Sequence, residues 1–151
     1  MIVLILAFSL LTGLGVTLWW FGIGQDVPTN GTVTINGTVF IVEIAATPEL
    51  REKGLSKHVP LGETEGMLFI FRTPGNHQFW MKGMQFALDI IWIADGKVVS
   101  ITENALPESF RKLQMFNAGE PITEVLEVNA GTAAKFHIKK GDVVAIKKYS
   151  D

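Results

Sequence analysis

From about residue 32 onward, apolar and polar side chains alternate in short runs broken by turn residues; before residue 25 they do not alternate at all. Alternation at a period of two marks half-buried strands. Asn36-Gly37 separates two such runs, and this dipeptide favours a two-residue hairpin because both central positions need positive φ. Strands are expected at 32–35 and 38–46. On the second, Phe40, Val42 and Ile44 share one face and Val39, Ile41 and Glu43 the other. Thr47-Pro48-Glu49 opens a short helix with a hydroxyl cap, a proline at the first position and an acid at the positive dipole end; Gly54 ends it. Residues 67–71 are apolar throughout, which predicts a strand covered on both sides. A turn at 73–76 leads to strands at 79–84 and 87–94. Asp95-Gly96 makes a second hairpin into 97–102. Residues 104–121 read as a long irregular loop. A strand at 125–128, a helical turn at 132–137 capped by Thr132, and a closing strand at 143–148 complete the pattern. Together these predict an α+β, mostly β domain: a small, partly closed barrel of short antiparallel strands with one or two short helices.

The leading segment, MIVLILAFSLLTGLGVTLWWFGIG, carries no charge. Its length matches the roughly 20 apolar residues that cross a bilayer, and Trp19, Trp20 and Phe21 stand where an aromatic belt meets the headgroups. A cleaved signal peptide would want a basic start and a small-residue cleavage site, and neither is present. The expected organisation is a transmembrane anchor at 1–24, a linker at 25–31 and a β-rich domain at 32–151. Residues 2–23 are the expected membrane contact, giving a single-pass protein with an extracytoplasmic domain.

Composition narrows the chemistry. There is no cysteine, so disulfides, thiolate nucleophiles, iron–sulfur clusters and Cys-type zinc sites are excluded. Net charge is −2, and the densest basic group is Lys139, Lys140, Lys147 and Lys148. A nucleic-acid partner would want a stronger positive footprint. No G-x-S-x-G elbow, H-E-x-x-H, phosphate-binding loop or G-x-G-x-x-G occurs.

Four residues stand out as binding candidates: Glu65, Trp80, Lys82 and Asp89. Trp80 and Lys82 would share one strand face, a cation beside an aromatic wall, or a lysine stem snorkelling along the indole. Asp89 interrupts an apolar strand, sharing a face with Ile91 and Ile93. A carboxylate there is either paired or beside a cleft, and Lys82 is its expected partner. The leading expectation is a module binding an unknown protein or small molecule, with no cofactor or metal. One alternative is an enzyme using Lys82 with Glu65 and Asp89. Another is a Cu(I) protein using Met67, Met81, Met84 and Met115 with His77, against the plainer role of methionine as core filler.

These blocks also carry a resemblance. Val42-Glu43-Ile44-Ala45 with Thr47 and Glu49, Gly54-Leu55, Glu65 through Phe71, Phe79-Trp80-Met81-Lys82, Leu88-Asp89-Ile90-Ile91, Gly96 through Val99, Val125-Leu126-Glu127 and Gly141-Asp142 occur in one order over about residues 40–147. In this the chain resembles the domain of unknown function 192 family. The resemblance implies a small β-rich fold, often exported or membrane-anchored, with no assigned activity. Two places depart from the family pattern. Gly83-Met84 follows Trp-Met-Lys where Asn-Thr is usual, and Ser56-Lys57-His58 follows Gly-Leu where a Met and an Arg are usual.

Overall fold

A computed structural model describes residues 29–108 and 114–149. The expected anchor at 1–24 lies outside them. Among the described residues no helix is long and apolar enough to cross a membrane. Among the described residues, nine strands and two short helices follow one another: β1 (Thr29–Ile35), β2 (Thr38–Ala45), α1 (Pro48–Lys53), β3 (Glu65–Gly75), β4 (Phe79–Trp80), β5 (Leu88–Ala94), β6 (Lys97–Ala105), β7 (Met115–Phe116), β8 (Ile122–Asn129), α2 (Thr132–Lys135) and β9 (Val144–Lys148).

Seven strands form one curled sheet in the order β6-β5-β8-β3-β2-β1-β9. It is a half-barrel whose edges touch at one point, where Lys97 bridges Val143. Three backbone bonds hold that contact: Val98 N to Asp142 O, Gly141 N to Val98 O and Val144 N to Gly96 O, at 2.7–2.9 Å. One feature departs from the expected antiparallel set, because β2 and β3 run parallel. Parallel neighbours need a crossover rather than a tight turn, and the segment between Ala45 and Glu65 supplies one, carrying α1.

The turn chemistry is as read. Asn36 and Gly37 have φ of 51° and 79°, and Asp95 and Gly96 have φ of 49° and 67°. The Thr47 side chain accepts from Leu50 N at 3.3 Å at the start of α1. The second helix differs: its cap is Gly131, without a side-chain cap bond, and Thr132 is its first residue. The strand expected at 79–84 stops at Trp80, because Met84 N turns back to Met81 O and Gly83 takes φ of 74°. Within the expected loop 104–121, β6 extends to Ala105 and Met115–Phe116 pairs with Phe79–Trp80 as a separate two-stranded arm. Thr73, Pro74 and Gly75 of the expected turn at 73–76 belong to β3, and Asn76 follows it. Between Ile70, opposite Glu124, and Gly75, opposite Ile122, four residues of β3 face one of β8, a large bulge.

Two apolar layers flank the central strands. The inner layer fills the half-barrel with Val33, Ile35, Phe40, Val42, Ile44, Leu68, Ile91, Ile93, Leu126 and Val128. The outer layer joins Met67, Phe69, Ile90, Trp92 and Val125 to Leu55, Met81 and the arm. This explains why β3, β5 and β8 are apolar on both faces: each is covered twice.

Candidate functional site

Above the outer layer, α1 and the following Gly54-Leu55-Ser56 stand opposite the chain from Gln78 to Met84. Between them is a cleft of about 190 Å³ lined by both segments, by Phe71 on the β3 bulge, and by Glu127 of β8. Glu127 lies opposite Met67 of β3 and Ile90 of β5. It is 4 % exposed, and its side chain makes no hydrogen bond or ion pair among the described residues. Burial without a partner pushes its carboxyl up to about 8. At neutral pH it is therefore mostly the uncharged acid, able to donate a hydrogen bond.

The aromatic wall is set by edge-to-face packing. Phe79 meets Phe69 at 4.8 Å, Trp92 at 5.4 Å and Phe71 at 6.2 Å between centroids. The Trp92 indole N–H donates to Thr102 Oγ1 at 3.1 Å. Trp80, next to Phe79, turns outward and is 43 % exposed. Arg51 fixes the opposite wall: Nη1 donates to the carbonyls of Ala46 at 2.7 Å and Ile70 at 3.0 Å, and its guanidinium lies 5.0 Å from the Phe71 centroid. Those bonds commit the Arg51 charge to holding α1 on the bulge. Lys53 and Lys82 are exposed cations at the cleft without ion pairs among the described residues, and Glu52 is beside them.

Of the four residues singled out by sequence, Trp80 and Lys82 line this cleft. Glu65 and Asp89 do not. The expected Lys82–Asp89 pair is not made. Asp89 is 1 % exposed on the inner face, where its two oxygens accept from Asn104 N and Ala133 N, each at 2.9 Å. The first bond satisfies a bulge in β6, where Glu103 and Asn104 oppose Asp89 alone. The second caps α2, whose own cap residue, Gly131, has no side chain. Glu65 accepts from Gly62 N at 2.8 Å and closes the loop leading into β3. Enzyme chemistry combining Lys82 with these two acids has no shared site. Three methionines of the copper alternative are packing residues, Met67 and Met81 buried in the outer layer and Met84 against it; Met115 is exposed, and His77 stacks on Phe71 at 3.6 Å. Among the described residues no three His, Asp or Glu side chains gather to hold a metal.

Sequence reasoning missed Glu127, although its signal equalled that of Asp89: one acid inside the apolar run Val125–Val128. The two departures from the family pattern prove to be neighbours. Lys57 N approaches Gly83 O at 3.4 Å, and a Cβ at Gly83 would lie 3.5 Å from that of Ser56. Both flank the cleft mouth.

Residues 31–146 match the family model DUF192, described as uncharacterized ACR. A crystal structure of a candidate transcription regulator from Sinorhizobium meliloti 1021 is similar at 33% identity and a TM-score of 0.73, covering 81% of this chain and 97% of that one. A protein of unknown function from Novosphingobium aromaticivorans DSM 12444 is similar at 39% identity and a TM-score of 0.70, covering 76% and 83%. No curated protein matches. The family match spans most of the chain and the whole of the cleft, and on that basis the chain belongs to the DUF192 family.

Proposed function

We propose that this protein is a ligand-binding module, with the Glu127 cleft as its working site, held at the outer face of a membrane by residues 2–23. One observation carries the binding reading. A carboxyl set among apolar side chains with no protein partner among the described residues costs stability, and this one keeps its contact with solvent at the base of an open cleft walled by Phe71, Phe79 and Trp80. A site that only stabilised the fold would be served better by an apolar residue. The membrane placement rests on the uncharged leading segment.

Transcription regulation, taken from the Sinorhizobium relative's description, finds less support. The described helices have six and four residues, too short to serve as recognition helices, and net charge is −2.

The test uses full chain carrying 5-fluorotryptophan in detergent, followed by fluorine NMR against a library of small metabolites. A specific ligand shifts the Trp80 resonance and leaves the buried Trp92 in place. If no compound moves Trp80 while Trp92 reports a folded core, the binding reading fails.

A further inference from the structure

Resting on that reading of the cleft, we propose that its ligand is a small zwitterion, seated with an ammonium group on Glu127 and a carboxylate at Lys53 and Lys82. The charges on the two sides of the site are of opposite kind. At the base, Glu127 is the one acid among apolar neighbours, with Met67 and Ile90 on the flanking strands and Leu55 and Met84 in the lining. An ammonium group is the partner that the Glu127 carboxylate lacks within the protein, and the exposed Trp80 ring attracts a cation as well, whereas Phe71 is taken by Arg51 and His77. At the mouth the charges reverse. Lys53 and Lys82 are unpaired among the described residues, Arg51 is committed to two carbonyls, and Glu52 offsets one cation.

A ligand with only a positive group would meet like charge at the mouth. A ligand with only a carboxylate would leave Glu127 without a partner. A molecule with both groups satisfies both, and about 190 Å³ holds something the size of a free amino acid.

Proton release is a signature of this arrangement. With its carboxyl pushed up to about 8, free Glu127 is mostly protonated at pH 7. An ammonium beside it favours the ionised form, so binding at pH 7 expels a proton from most sites. The titratable groups facing it are Arg51, Glu52 and Lys53 of α1 and Lys82 of the opposite wall; β3 and β5 present apolar side chains.

Calorimetry on the full chain in detergent compares four probes of equal carbon number: L-norvaline, 5-aminopentanoate, pentanoate and pentylamine. One of the two zwitterions should bind at least tenfold tighter than either singly charged probe. Its heat in buffers of different ionisation enthalpy should report the released proton. Glu127→Gln should lose tenfold or more in affinity together with the proton release. Lys53→Ala with Lys82→Ala should keep the release and lose the advantage over pentylamine. The Trp92 fluorine resonance confirms folding of each variant. The inference is overturned if pentanoate matches the zwitterions, or if binding releases no proton. If a different compound shifts Trp80 and the zwitterions do not, the inference falls and the cleft reading stands; if nothing shifts Trp80, both fall.

Discussion

A carboxyl group between Met67 and Ile90 costs less to bury as an acid than as an anion. Between the ordinary glutamate value of 4.5 and about 8, the folded chain holds a proton on Glu127 that the unfolded chain has released. Stability then falls as pH rises through that window, by up to about 1.4 kcal/mol per pH unit. Glu127→Gln removes the titration, so denaturant unfolding should show the variant gaining on the parent from pH 5 to pH 8, reaching several kcal/mol. Parallel stability curves across that range would refute this. Asp89 is the opposite case, a buried acid whose oxygens are both used. Asp89→Ala strands the Asn104 and Ala133 amides and should cost about 2–5 kcal/mol, with ligand affinity of the remaining folded protein unchanged. A loss of binding without a loss of stability would contradict that assignment. The sequence marked both acids by the same sign, a carboxylate inside an apolar run. It could not tell them apart, because what separates them is the other face of the sheet. The bulge amide at Asn104 and the helix start at Ala133 reach one, and the cleft reaches the other.

At the scale of elements, the hairpins at 36–37 and 95–96, helix α1 and the doubly covered strands were legible because each is a local rule of turn, cap or period. The parallel pairing of β2 with β3 and the arm of β4 with β7 were not, since both depend on partners distant in sequence. The arm matters most for the cleft, because it carries Trp80 on a two-residue strand. Its attachment is the Phe79 ring against Phe69, Phe71 and Trp92. Phe79→Ala should cost about 2–4 kcal/mol, less than a fully buried phenylalanine because Phe79 is half-buried. Hydrogen exchange should locate the change: amides at 79–84 and 115–116 should lose protection first, and those of β8 last. Uniform loss across β8 and the arm would mean that the arm is not a separate unit.

For the whole molecule, the half-barrel has a polarity relevant to the proposed anchor. The chain enters at β1, and the end of β9 lies beside it, with Gly31 opposite Lys148, Thr32 opposite Lys147, and Tyr149 N donating to Asn30 O at 2.9 Å. If the apolar run ends at Gly24, five residues separate it from Asn30. Fully extended, the six steps from Gly24 to Asn30 reach roughly 20 Å, less than the roughly 35 Å diameter implied for a domain of this size. The Asn30–Tyr149 corner would then be the part of the domain nearest the bilayer, with Lys147 and Lys148 facing its headgroups. Each lysine near an anionic surface contributes about 1 kcal/mol at ordinary salt, far less than a spanning helix. Full chain should therefore resist alkaline carbonate extraction whether or not both lysines are changed to glutamate. A chain lacking residues 2–23 should be released into the soluble fraction. Protease added outside intact cells should digest the domain. Carbonate release of the full chain, or protection of its domain in intact cells, would remove the membrane placement and leave the Glu127 cleft to be judged on binding alone.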